Sequence, residues 1–256
     1  DGGAFPLVGV VLPEAYTAKI ANGCYHIEHV EFSSVAVLTN RPPTSAYRGA
    51  GRSPYIAALE RAVDCFAAEV GLDPAEVRRR NLISPDQMPY ATPPGATYDE
   101  ADYPADLDRA LAAIGYAVIR DDQVRRRQAG ESVLLGVVMA SYNHMTTGGG
   151  GEEASVSVLP DGSAVVVTGT TSQGHGHTVT WAQIASDVLG IPVESISVIE
   201  GDTDAIATGV GAVGSRSLQT AGMAIHRAAN DVVDEARQLA ADLLEAWPED
   251  LDRVAR

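Results

Sequence analysis

Apolar positions recur at helical spacing through residues 54–70, PYIAALERAVDCFAAEV, which predicts a helix. Ser53-Pro54 supplies an N-cap and a first-turn proline, and Gly71 supplies the stop. Asp73-Pro74 opens a second helix over 74–82, with Arg78, Arg79 and Arg80 in its last turn. Upstream, 24–39 (CYHIEHVEFSSVAVLT) alternates and is rich in β-branched residues, predicting one or two strands. Residues 83–104, rich in Pro, Asp and Tyr, read as a long loop. Helices follow over 105–114 and 121–128.

The second half changes period. Residues 132–141 (SVLLGVVMAS) and 154–159 (ASVSVL) read as strands, and the turn Pro160-Asp161-Gly162-Ser163 joins the latter to 164–169 as a hairpin. A helix over 178–189 stops at Gly190, a strand follows over 195–199, and a loop over 201–214 leads to a long amphipathic helix over roughly 217–246. Mixed strands and packed helices predict an α+β fold with mixed sheets. The change of pattern places a subdomain boundary between 116 and 132, dividing the chain into 1–120 and 121–256.

Composition narrows the function. The 256 residues suit one large domain or two small ones, and 45% hydrophobic against 20% charged residues predicts a globular core. A net charge of −16 lacks the basic footprint of a nucleic-acid binder. Cys24 and Cys65 stand far apart, without the spacing of a disulfide framework, a zinc site or an iron–sulfur cluster. No apolar run reaches membrane-span length, and the opening DGGAFPLVGV lacks the basic start of a signal peptide, so a cytoplasmic location is expected. The opening also lacks an initiator Met, as a fragment or processed piece would.

Three glycine-rich loops share one theme. AYRGAGR (46–52), TSQGHGHTVTW (171–181) and GDTDAIATGVGAVGSRS (201–217) each lie at or near the mouth of a predicted helix. Glycine admits close backbone approach, and a helix N-terminus attracts anions, so such loops suit a polyanionic ligand held by main-chain donors. For the first loop the other reading is a strand-to-helix turn with two solvated arginines, Arg48 and Arg52. No loop matches a P-loop or a clean G-x-G-x-x-G. His175 and His177 lack a third histidine or a cysteine at ligand spacing, which argues against a metal site there. Glu152 and Glu153 follow Gly148–Gly151, a stretch read as a mobile loop near a site. They read as a carboxylate pair for acid–base work or as loop acids entering a strand.

In these loops, and in the runs TNRPPTSAYRGAGR, EVGLDPAEVRRRNLI, YDEADYPADLDRALAAIGY, GHGHTVTWAQIASDVLGIP and EGDTD…GSRS, the chain resembles the molybdenum-binding large subunit of the xanthine dehydrogenase/aldehyde oxidase family. The nearest branch looks like the carbon monoxide dehydrogenase-type large chain and related hydroxylases. The resemblance implies parts of two molybdopterin-binding subdomains and a cofactor of molybdopterin, or molybdopterin cytosine dinucleotide, with molybdenum. It places Arg48 beside the metal's ligands. It places Gly49, Gln173, Gly174, His175, Gly176, Ala212, Gly214, Ser215, Arg216 and Ser217 at the cofactor, and Ala50 and His144 in the substrate pocket. It implies no protein side chain as a metal ligand. It also implies iron–sulfur and FAD partner subunits in a dimer of heterotrimers, with no nucleic acid and no membrane span.

The departures from the family pattern carry information. Carbon monoxide oxidation in this family uses a copper-binding cysteine after the loop arginine, where this chain has Gly49. The purine-stacking phenylalanine of xanthine dehydrogenases is Ala50 here. His175 replaces a glutamine, and Ala207 and Ala212 replace proline and threonine. The general-base glutamate of a downstream G-x-G-E element is absent after Ser217, and so is the upstream G-G-G-F-G element. The resemblance therefore implies an internal part of a hydroxylase that oxidises an aldehyde or N-heterocycle with water as oxygen source, inactive by itself. Two other readings stay open: a non-catalytic remnant or interaction module on the same scaffold, and a carbon monoxide dehydrogenase-type chain, which Gly49 disfavours.

Overall fold

The computed structural model describes residues 1–146 and 150–251. Gly148 and Gly149, part of the stretch read as a mobile loop, lie outside the described residues. The backbone groups into two units, Asp1–His144 and Met145–Arg256.

The first unit is mainly helical. Helix α1 (Arg52–Glu69) starts from Gly51 in the left-handed conformation, φ 85°. Helix α2 (Pro74–Asn81) is capped by Asp73, whose Oδ1 accepts from Ala75 N at 2.8 Å. A two-residue ladder, β1 (Tyr90–Ala91) with β2 (Thr97–Tyr98), is folded within the segment read as loop. Asp102 caps α3 (Tyr103–Ala113), and Gly115 turns the chain into α4 (Tyr116–Gln128), which begins five residues earlier than its sequence pattern predicts. The added turn is anchored outside the helix: Tyr116 Oη donates to Asp73 at 3.1 Å, and Arg120 pairs with the same carboxylate at 3.2 Å.

Cys24, Tyr25, Leu82 and Leu107 form an apolar core beside a buried charge cluster. Within that cluster, Arg78 is fully buried and binds Glu60 and Asp64, each at 2.9 Å. Its guanidinium also donates to the carbonyls of Pro74, Glu60 and Met139.

Two strand expectations fail here. Residues 24–39 form only isolated bridges, Tyr25 with Leu82 and Leu38 with Gly3, and 132–141 form no strand. Both segments carry β-type side chains, but a strand needs a hydrogen-bonding neighbour, and Val35, Val37, Val133, Leu134 and Val138 remain exposed.

The second unit is a three-stranded sheet covered by two helices. Strand β3 (Ala154–Val158) pairs antiparallel with β4 (Ala164–Thr168), which pairs parallel with β5 (Ile196–Glu200). A parallel pair needs a crossover, and α5 (His177–Leu189) provides it before stopping at left-handed Gly190. Alternation along β4 turns Ala164, Val166 and Thr168 inward. Ala164 and Val166 share a core with Trp181, Ala182 and Ala185 of α5, and Ile225 and Ala229 of α6 (Met223–Leu244). Small residues at the contact let the helices close on the sheet. A Cβ on Gly222, in the turn before α6, would lie 3.4 Å from the Trp181 ring.

Candidate functional site

The first glycine loop belongs to the first unit. Gly49, Ala50 and Gly51 are consecutive left-handed residues, with φ of 93°, 47° and 85°. Ala50 adopts this region at a steric cost that glycine escapes. The turn is closed by Ala50 N to Tyr47 O and Arg52 N to Gly49 O. The two arginines then part company. Arg48 is exposed, whereas Arg52 is buried with its guanidinium carbon 5.4 Å from the Tyr16 ring centre. The reading of two solvated arginines therefore fails at Arg52. Burial holds its pKa below the ordinary value, and, together with the Arg52 charge, partial burial holds the His144 imidazole below its own.

The other two loops belong to the second unit and pack on each other. A Cβ on Gly169 would stand 2.7 Å from the Gly209 Cα, and one on Gly201 would stand 2.3 Å from Thr171 Cγ2. Glu200, ending β5, accepts from Ser172 N at 3.1 Å. Gly174 and Gly176 are left-handed, and Gly176 turns the chain into α5, whose first turn contains no acidic residue. The first-turn N–H groups of a helix have no intrahelical acceptors, so this terminus suits an anion.

His175 is exposed and its Nδ1 accepts from Gln173 N at 3.2 Å. An accepting Nδ1 leaves the neutral ring's proton on Nε2. The ring stacks on buried His177 at 4.6 Å, and His177 lies 4.9 Å from Trp181. His177 Nδ1, Trp181 Nε1 and Thr170 Oγ1 are buried without hydrogen-bond partners, capacity of the kind a polar ligand uses.

In the third loop Ser215 is left-handed, φ 61°, between Gly214 and Arg216. Ala212 and Ser217 are half-buried, and Arg216 is buried. Its guanidinium meets Glu152, so Glu152 is held in an ion pair rather than in a carboxylate pair with Glu153. Sequence reasoning named Arg216 as a cofactor contact and missed its partner; the only prior signal was an acid just before a strand.

Arg48, Gly49, Ala50 and His144 thus fall in the first unit, and the residues from Gln173 to Ser217 in the second. Among the described residues, no group of three or more His, Cys, Asp or Glu side chains is placed to hold a metal ion. No helix there is long and apolar enough to cross a membrane.

Two family models, each described as a molybdopterin cofactor-binding domain, match residues 1–82 and 109–255. The chain is 37% identical over 247 residues to the carbon monoxide dehydrogenase large chain of Hydrogenophaga pseudoflava, covering 91% of this chain and 31% of that protein. It is 33% identical over 264 residues to the nicotine 6-hydroxylase large subunit of Paenarthrobacter nicotinovorans, covering 98% of this chain and 32% of that protein. The crystal structure of quinoline 2-oxidoreductase from Pseudomonas putida 86 superposes with a TM-score of 0.87 at 34% identity, covering 98% of this chain and 34% of that one. This chain thus spans about a third of the length of the relatives it matches.

Proposed function

This chain belongs to the family of molybdopterin cofactor-binding domains, and we propose that it is part of the large subunit of a molybdenum hydroxylase acting on an N-heterocycle or aldehyde. The observation that carries this reading is the pair of packed glycine loops in the second unit. Left-handed Gly174 and Gly176 lead into an acid-free helix N-terminus, beside an exposed imidazole and unpartnered buried polar atoms. That donor set fits a phosphate-bearing pterin. When bound, the molybdenum group supplies the redox chemistry that hydroxylates carbon with oxygen from water.

The chain's own residues bind and orient. Main-chain N–H groups of the 174–176 turn and the α5 terminus would take the phosphate charge, since Thr170 N, Ser172 N and Gln173 N are already bonded within the chain. His175 offers Nε2–H where relatives use an amide. Exposed Arg48 stabilises negative charge on the cofactor's outer ligands. Ala50 leaves the pocket without an aromatic wall, and His144, its pKa lowered, enters as a neutral hydrogen-bonding ring at neutral pH. Gly49 offers no thiolate, which favours hydroxylation over copper-assisted oxidation of carbon monoxide. In the assembled enzyme, iron–sulfur and flavin partner subunits would take up the electrons.

The test is to purify the full-length subunit with its partners and measure molybdenum, pterin and released cytosine nucleotide. Turnover is then compared on quinoline-like heterocycles, aldehydes and carbon monoxide. A loaded enzyme that hydroxylates heterocycles or aldehydes but not carbon monoxide is expected. A purified complex without molybdenum refutes the reading.

A further inference from the structure

Glu152 lies two residues before β3, and a single oxygen of it gathers three donors. Its Oε1 accepts from Val210 N at 3.0 Å, Gly211 N at 3.1 Å and Arg216 Nη1 at 2.5 Å. Arg216 reaches further, donating from Nη2 to the Gly150 carbonyl at 2.6 Å. The side chains of Arg216 and Glu152 are 1% and 0% exposed. Two consecutive main-chain N–H groups and a guanidinium converging on one point form an anion-binding concavity. Here the anion is the chain's own carboxylate.

Contacts with the 169–171 stretch restrain the loop at Gly201 and Gly209, and the Glu152–Arg216 pair restrains it beyond them. Residues 201–217 are mostly exposed and carry Gly209, Gly211 and Gly214, so ordering them costs much conformational entropy. Ser215 needs a left-handed backbone that non-glycine residues adopt only when neighbours hold them there. The Glu152–Arg216 contact fixes the chain on both sides of Ala212, Val213 and Gly214, immediately before that residue. Were Arg216 instead to turn to a phosphate of the ligand, buried Glu152 would lose its cation and keep only the Val210 and Gly211 N–H groups, which is unfavourable.

We propose that Glu152 and Arg216 are positioning residues of the cofactor site. The buried pair holds the Val210–Ser217 backbone in the form that presents Ser215 and Ser217 to the cofactor. The two terminal nitrogens of Arg216 are spent on Glu152 and the Gly150 carbonyl rather than on the cofactor's charge, while its buried Nε and Glu152 Oε2 have no partner. This rests on the reading that the second unit holds molybdopterin.

The test uses the full-length subunit assembled with its partners, in four forms: wild type, Glu152→Gln, Arg216→Met and the double variant Glu152→Met/Arg216→Met. Molybdopterin retained through gel filtration and the thermal unfolding midpoint are both measured. Replacing a buried ion pair with apolar residues of similar volume is often neutral for stability, so the double variant unfolds near wild type. Its cofactor affinity falls about 10- to 100-fold, as when outer partners of a bound group are removed, and Glu152→Gln falls in the same direction. Glu152→Gln retaining or gaining cofactor identifies a directly contacting Arg216 and overturns the proposal. A double variant that is fully loaded, or that fails to fold, overturns it as well. A wild-type subunit without molybdopterin refutes the functional reading instead.

Discussion

Arg78 offers the sharpest test of how the first unit is held together. Its side chain is fully buried, and its donors go to Glu60 Oε2, Asp64 Oδ1 and the carbonyls of Pro74, Glu60 and Met139. Tyr25 Oη takes the other Glu60 oxygen at 2.7 Å. Arg78→Met keeps much of the aliphatic stem and removes the charge. Glu60, whose side chain is 4% exposed, then loses its cation, and three carbonyls lose a donor. Stranding a buried charge in this way costs about 3–5 kcal/mol, a factor of about 10²–10⁴ in the folding equilibrium. A domain's whole stability is only about 5–15 kcal/mol.

Arg79 is the control. It pairs with Glu76 and Asp108 at similar distances, but all three side chains are well exposed. Arg79→Met is expected to cost less than about 1 kcal/mol. Urea unfolding followed by circular dichroism separates the two: Arg78→Met lowers the midpoint steeply at constant slope, and Arg79→Met barely moves it. Adding Glu60→Gln to Arg78→Met removes the stranded charge and recovers part of the loss. Equal midpoints for Arg78→Met and Arg79→Met would refute the view that burial, rather than pairing geometry, sets the magnitude.

Other expectations bear on both units. Burial, reinforced by the Glu60 charge, raises the Cys24 thiol from 9.0 to about 12, so a thiol reagent labels exposed Cys65 in the native chain and both cysteines after unfolding. Since the folded state favours the neutral thiol, the Cys24 contribution is full below pH 9.0 and is lost as pH rises through about 12. Denaturant melts on either side of pH 9.0 check that sign. Trp181→Ala empties a fully buried site between α5 and α6 and is expected to cost about 3–5 kcal/mol by chemical denaturation. Gly169→Ala drives a methyl into the Gly209 backbone, so a loss of about 1–3 kcal/mol is expected together with weaker cofactor retention. A wild-type melt for that variant would mean the two loops are not in contact.

What could be read in advance follows from how local each feature is. Helices α2, α3 and α5 carry their own start or stop chemistry, such as Asp73 before Pro74 and Gly190 after Leu189, and their ranges follow the pattern closely. The range of α1 also does, but it starts from left-handed Gly51 with Ser53 inside the helix rather than capping it, and α6 begins only at Met223, after a π-helical turn over Leu218–Gly222. Strands β3, β4 and β5 also agree, because a short turn and a crossover helix bring their partners back within the same segment. Residues 24–39 and 132–141 have strand-like composition, but pairing is a relation between distant backbones that composition does not encode. The first turn of α4 was hidden for a related reason, since Asp73 anchors it from across the unit.

The glycine loops were visible because left-handed turns at helix mouths demand glycine, and Gly51, Gly174 and Gly176 have that conformation. The charges on those loops were not sorted by the same reasoning. Arg48, Arg52 and Arg216 look alike in sequence, each a cation in a small-residue run. Folding separates them: Arg52 is buried beneath Tyr16, Arg216 is buried on a carboxylate 64 residues away, and Arg48 stays exposed. A buried guanidinium that has met a local ring or carboxylate has less charge to offer a ligand, since its field is largely cancelled or its approach blocked. Arg48 is thus the arginine of the three whose removal should alter ligand charge recognition while leaving the fold intact. In the full-length enzyme, Arg48→Ala is expected to lower turnover well beyond any loss of stability, measured as kcat beside the thermal midpoint. Unchanged turnover would mean that a cation placed for catalysis has to be sought elsewhere.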